Sequence, residues 1–327
     1  MRKKAVLLFS GGLDSLLVSF IAKREKITAH ALYFHTVFSH LSKKEAESKF
    51  YEQLKPLNIP LKIIDFSSFH INMVKNPLYG YGANLNPCID CKIFMFSKAR
   101  EFMKRVGASF IISGEVLGER PMTQHRSLFN KIEKETKLEG LILRPLSARL
   151  LKSTLPEIKG IIDRNSLYSI QGRARTQQFA LAREFGISNF PTPSGGCLLT
   201  NPSFCLRLKD LLHYNPNFSL RDCRLLKIGR HFRLSPKAKL IVARNEKESV
   251  VLVRFRKNVL QFRPQNVKGP FGLGIGEFNS SLIKKACFIL GRYCKGDISV
   301  IKVNDRKVLV EEKVAFSLVK RFLIGGG

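Results

Sequence analysis

Short apolar runs recur through the first half of the chain, at Ala5–Phe9, Ala29–Phe34, Leu61–Asp65, Ser109–Ser113 and Leu141–Leu143. Runs of this length read as strands buried on both faces. Between them, Lys43–Leu54 and Ile93–Val106 space their apolar residues by three and four, the mark of amphipathic helices. The alternation predicts an α/β fold, a parallel doubly wound sheet with helices on both faces. Such sheets take ligands at the carboxyl ends of their strands. Ser10–Ser15 and Ser113-Gly114-Glu115 both fall at such ends.

Further along, Asp163–Phe185 reads as helical, with Arg164, Arg173, Arg175 and Arg183 interspersed, and the two prolines and two glycines of Phe190–Cys197 predict a loop. After about Leu212 the character changes. Arg221–Lys268 holds 14 Lys and Arg against 3 Asp and Glu. Strand-like runs punctuate it at Leu240–Ala243, Val250–Val253 and Val259–Phe262. A helix over Ser280–Tyr293, strands near Ile298–Val303 and Val308–Val310, and a Gly325–Gly327 tail follow. The expected division is a nucleotide-binding domain over 1–212 and a smaller basic α+β domain over 213–327.

The most specific chemistry lies in Ser10-Gly11-Gly12-Leu13-Asp14-Ser15. A strand, a Gly-Gly turn and a helix starting there aim backbone N–H groups and the positive end of a helix dipole at one point, which suits an anion. Glycine allows close approach of a phosphate, Ser10 and Ser15 add hydroxyl donors, and Asp14 is placed to hold magnesium. No Gly-Lys-Ser/Thr ending follows, so this is not a Walker-type loop.

Of the 327 residues 44% are apolar, enough for a substantial core, and the formal charge is +31. That excess points to a polyanionic partner. In the basic stretch Phe232, Phe255 and Phe262 could stack on bases, but core packing is the simpler reading for them. No apolar run approaches 18 residues, and the run after Arg2-Lys3-Lys4 is too short for a secretory signal, so a cytoplasmic protein without membrane contact is expected.

Seven cysteines do not read as a disulfide framework. Cys88-Ile-Asp-Cys91 leads into a helix and Cys197 closes the Pro/Gly loop. Three thiolates could hold a [4Fe–4S] cluster with one iron open, or the pair could be a simple dithiol. Cys205, Cys223, Cys287 and Cys294 lack ligand spacing and read as packing residues. His125, in a polar loop, reads as a surface residue rather than a proton shuttle.

The Ser10–Ser15 hexapeptide resembles the pyrophosphate loop of the PP-loop ATPases, which have a HUP-type sheet. Together with Asn86-Pro87-x-x-x-Cys91 and Ser194-Gly195-Gly196-Cys197-Leu198, in that order, it resembles the PP-loop tRNA thiouridylases over roughly residues 4–210. In that family the two later elements carry the working cysteines, matching Cys91 and Cys197. The additional Cys88 is similar to the iron–sulfur-dependent branch, and Glu115-Val116 replace the His-Tyr usual after Gly114. The basic module resembles the NFACT-R type of RNA-binding domain. The resemblance implies ATP-dependent tRNA thiolation. ATP and Mg2+ would be bound by Ser10, Gly11, Gly12, Asp14, Ser15 and Gly114. Asp14, Cys91 and Cys197 would be catalytic, and a [4Fe–4S] cluster would sit on Cys88, Cys91 and Cys197. The expected partners are tRNA, a sulfur donor (sulfide or a persulfide carrier) and a second copy of the chain as a homodimer. The basic residues of Arg164–Arg183 and Arg221–Lys268 would position the tRNA. The rival readings are a PP-loop amidotransferase or ligase and a non-catalytic RNA-binding protein.

Overall fold

The computed structural model describes residues 2–120, 122–188, 190 and 197–325. The chain divides into two compact units, 1–198 and 199–327, so the expected boundary after residue 212 falls inside the second unit. The helix Pro202–Tyr214, read with the first domain, contacts the second unit's last strand instead.

The first unit runs β1 (Lys4–Leu8), α1 (Leu13–Arg24), β2 (Thr28–His35), α2 (Lys43–Leu54), β3 (Leu61–Asp65), α3 (Ser67–Lys75), α4 (Cys88–Val106), β4 (Phe110–Ser113), α5 (Arg126–Thr136), β5 (Ile142–Leu143), α6 (Leu155–Ile158) and α7 (Thr176–Glu184). All five strands are parallel in the order β3-β2-β1-β4-β5, the doubly wound arrangement that the apolar runs predict. Alternate residues of β1 serve opposite layers. Ala5 and Leu7 join a core with α1, α2 and α7, while Val6 joins one with α4 and α5. Strand order reverses at β1, so the crevice at its carboxyl end lies where such sheets bind ligands.

The expected long helix over Asp163–Phe185 is instead a 3-10 turn at Arg164–Ser166 and the short α7. Between them Gly172, at φ +83°, interrupts the helical path.

The second unit comprises α8 (Pro202–Tyr214), α9 (Leu220–Leu225), β6 (Arg230–Ser235), β7 (Ala238–Val242), α10 (Glu246–Val253), β8 (Leu260–Pro264), β9 (Gly272–Gly276), α11 (Ser280–Gly291), β10 (Ser299–Val303), β11 (Arg306–Val310), α12 (Phe316–Lys320) and β12 (Leu323–Ile324). Its sheet, in the order β11-β10-β8-β9-β7-β6-β12, is antiparallel at every pairing. Val250–Val253, expected as a strand, is helical. The Asn245 side chain accepts from the Glu248 N–H at 2.9 Å and caps α10, overriding the β-branched run. One face of the sheet packs on α11. Over β7 and β9 the other packs on α9 and α10. Phe232 and Phe262 are fully buried core residues and Phe255 packs against the second core, so none is displayed for base stacking. Cys205, Cys223, Cys287 and Cys294 are buried.

Candidate functional site

Gly11 has φ +71°, and a Cβ there would lie 2.0 Å from the Phe50 ring, so the turn accepts only glycine. Phe50, wedged edge-on against Phe9 and Tyr33, fills the space behind the loop. Gly12 caps α1 through its backbone. The Ser10 hydroxyl donates to Ser15 Oγ at 3.2 Å, and Ser15 Oγ donates to the Gly12 carbonyl at 2.8 Å. Gly114, at the end of β4, lies against the same turn. A Cβ there would stand 2.9 Å from the Asp14 carbonyl and 3.0 Å from the Ser15 nitrogen. Ser10, Gly11, Gly12, Asp14, Ser15 and Gly114 are therefore one constellation at the β1 switch point.

Asp14 is the charged member. Arg175 Nη2 donates to its Oδ2 at 2.9 Å, while Oδ1 is buried without a hydrogen-bond partner. Burial raises the Asp14 pKa, and the Arg175 charge only partly offsets it. Arg175 also stands 3.5 Å from Glu119, whose pKa is raised by burial and by Asp14. Exposed Arg120 acts electrostatically on Asp14, on Glu119 and on Cys88. Glu119 and Arg120 follow β4 and are not among the residues singled out from the sequence. Of the four arginines read as tRNA contacts, Arg175 is tied to Asp14 and Arg164 to Glu157, leaving Arg173 and Arg183 exposed.

Cys88 and Cys91 both lie in the first turn of α4 rather than in the loop before it. Three residues apart, they share one helix face. Asp90 holds the preceding segment to this turn by accepting from the Leu78 and Tyr79 N–H groups at 2.8 and 3.2 Å. Cys197 forms a β-bridge with Ser39, and the Leu198 N–H donates to the Phe38 carbonyl at 2.9 Å. The three thiols interact. Burial pushes the Cys91 thiol well up, and the nearby Cys197 and Cys88 raise it further, against the opposing pull of Lys92. Burial likewise raises Cys88, with Lys92 and Arg120 pulling down. Ser194, Gly195 and Gly196 of the third motif lie outside the described residues. Among the described residues no group of three His, Cys, Asp or Glu side chains stands close enough to share one metal ion.

Sequence reading also missed a buried network beside the thiols. Lys92, next to Cys91, pairs with Glu115 and donates to the Thr123 carbonyl at 3.0 Å. Glu115 also accepts from Arg144 Nε at 3.0 Å, and Arg144 Nη1 reaches Glu133 at 2.6 Å. Burial opposes ionisation of Glu115, yet the two cations outweigh it and hold the carboxyl below its ordinary range. The turn after β4, placed by the sequence at a ligand-binding strand end, thus sends its Glu115 side chain into this network. His125 is exposed and caps α5, its Nδ1 accepting from the Leu128 N–H at 3.4 Å.

Two family models match the chain, one described as Thiamine biosynthesis protein (ThiI) over residues 1–152 and one as NFACT protein RNA binding domain over residues 229–315. A protein named "Probable tRNA sulfurtransferase" from Methanosarcina mazei is 29% identical over 126 residues, 36% of this chain and 29% of that protein. The tRNA-specific 2-thiouridylase MnmA of Petrotoga mobilis is 24% identical over 226 residues, 64% of this chain and 59% of the relative. The chain thus covers less than two thirds of either relative. Among solved structures, a 4-thiouridine synthetase–RNA complex with bound ATP is 18% identical with a TM-score of 0.37, covering 56% of this chain and 51% of that one. Among the described residues, no helix is long and apolar enough to cross a membrane.

Proposed function

We propose that this chain, PP-loop and thiouridylase-like in its first half and NFACT-type over residues 229–315, is an ATP-dependent tRNA sulfurtransferase of the cytoplasm. The observation that carries the reading is convergence. The Ser10–Ser15 loop lies against Gly114 at the end of β4, and Glu115, next in the chain, pairs with Lys92 beside Cys91, so the phosphate loop and the thiol-bearing helix meet at one carboxyl edge of the sheet.

A uridine carbonyl oxygen is a poor leaving group, and adenylation converts it to a phosphoester that can depart as AMP. In this proposal Ser10, Gly11, Gly12 and Ser15, with the α1 N-terminus, receive the pyrophosphate. Gly114 lets the end of β4 close against the Asp14–Ser15 backbone and would border the nucleotide there. Asp14 would hold magnesium, and its partnerless buried Oδ1 fits a hard cation that takes oxygen ligands. When bound, that ion neutralises phosphate charge.

A sulfur nucleophile then replaces the oxygen. The outer sulfur of a Cys197 persulfide, loaded by a sulfur donor, bonds to the activated carbon as the bond to AMP breaks. Attack of Cys91 on the inner sulfur frees the thiocarbonyl and leaves a Cys91–Cys197 disulfide for an external thiol to reduce. For a [4Fe–4S] cluster, Cys88, Cys91 and Cys197 supply suitable donors. Their spacing in this structure does not gather them on one ion.

The test supplies the purified chain with ATP, unmodified tRNA and a sulfur source without oxygen, then measures AMP and thionucleosides in the digested tRNA. AMP and thionucleoside rising together, and both lost in Asp14→Asn, are expected. Absence of AMP with any tRNA would sink the proposal. Full thiolation by iron-free Cys88→Ala would remove the cluster and leave the persulfide route.

A further inference from the structure

In the second unit's sheet, Arg263 of β8 stands directly opposite Lys302 of β10, and Lys302 directly opposite Lys307 of β11. Directly opposed residues share a face, so the three cations form one cross-strand row. Like charges so placed repel and weaken the pairing. Among the described residues no ion pair involves any of the three. Arg263 donates to the Gln261 side chain, at 3.0 Å, and lies over the Phe271 ring, 5.0 Å from its centre.

The covered part of the same unit differs. There Asp210 pairs with both Arg233, at 2.7 Å, and Lys239, at 3.0 Å. The face carrying the row is the one that α9 and α10 cover over β7 and β9, since Gln261 pairs with Leu273, which pairs with Ile241 in that core. Beyond β9, across β8, β10 and β11, Arg263 and Lys307 are exposed. An open groove of about 760 Å³ borders the row, lined by Arg256, Asn258, Gln261, Arg263, Lys302 and Asn304, with Asp305 contributing a carboxylate. None of its described lining residues is aromatic.

We propose that this half-sheet face is the surface on which the second unit seats the RNA backbone, with phosphates on the Arg263–Lys302–Lys307 row and riboses against the groove amides. This rests on the RNA reading of the chain and adds where the strand lies and what it is read by. Cations with amides but without aromatic platforms suit phosphate and hydroxyl groups rather than base faces. Bound phosphates would relieve the like-charge repulsion, so the row is a cost in the free protein that RNA removes.

The test measures binding of unmodified tRNA to the full chain by fluorescence anisotropy across a salt series. It compares the triple variant Arg263→Gln/Lys302→Gln/Lys307→Gln with a control triple, Lys284→Gln/Lys285→Gln/Lys320→Gln, on α11 and α12. The row variant should bind roughly 10- to 100-fold more weakly at ~0.1 M salt, with a salt slope smaller by about 2–3, while the control stays near wild type. Equal losses in both triples, or a loss confined to the control, would overturn the placement. If the unaltered chain binds no tRNA, the RNA reading itself fails, and that is seen before any variant is made. Acetylation footprinting of the unaltered chain gives an answer independent of variant folding. RNA should protect Lys302 and Lys307 but not Lys284, and the reverse pattern overturns the proposal.

Discussion

Beside the thiols of the first unit, buried Glu115 is met by two cations, and Asp14 of the adjacent loop by Arg175. On the open face of the second unit, Arg263, Lys302 and Lys307 face one another with no carboxylate paired to any of them among the described residues. The difference is one of purpose. Buried charge must be neutralised within the protein, because leaving it unpaired costs several kcal/mol. Charge in water can be left unpaired, and a surface that leaves it so is complementary to an anion from outside. Paired charges thus fix the shape of the first unit's site, and unpaired ones offer the second unit's face to a ligand.

The comparison is broken most severely at the thiols. Cys91→Ala and Cys197→Ala should each lower thiolation by at least about 100-fold, as removal of a reacting group does, with folding retained. Nucleoside analysis and circular dichroism together check this.

Next in size is the paired network. Glu115→Gln leaves Lys92 beside an uncharged amide and Arg144 with Glu133 as its remaining carboxylate, and should cost about 3–5 kcal/mol in denaturant unfolding. Because the Glu115 carboxyl is held below its ordinary 4.5, its contribution is complete above that value and is lost as pH falls through the lower folded-state value. Unfolding measured from neutral to acidic pH should show the unaltered chain losing stability there, and Glu115→Gln losing less.

Gly114→Ala sharpens the comparison within the loop. The new methyl must displace backbone at 2.9 Å, so a loss of about 1–3 kcal/mol is expected. It should come with an ATP KM raised more than the tRNA KM. The smallest stability effect belongs to the open face. Lys307→Gln, which removes a repelling neighbour of Lys302, should change stability by no more than about 0.5 kcal/mol and stabilise if anything, seen as an unchanged or higher Tm at low salt.

Much of the first unit was legible because buried parallel strands are written as short apolar runs and the Ser10–Ser15 loop is local in the chain. Local context misled at Val250–Val253, where the Asn245 cap prevails over β-branched residues. It also misled at Asp163–Phe185, where charged residues alone do not keep a helix going. The electrostatic half of the site was illegible for a different reason. Glu115 finds Lys92 and Arg144 at separations of 23 and 29 residues, and Arg175 finds Asp14 at 161. No periodicity records such pairs. The cation row is hidden in the same way, since Arg263 and Lys302 become neighbours only once β8 and β10 have paired.

The partial enclosure of Cys91 also bears on how the chain meets oxidants. Oxidants and alkylating agents attack the thiolate, and the surroundings of Cys91 raise its pKa and so disfavour that form. The half-buried Cys91 is thereby a poorer target for peroxide and stray electrophiles than an exposed thiol of ordinary pKa. Protection of this kind comes from disfavouring the charged sulfur, not from sealing it away from solvent.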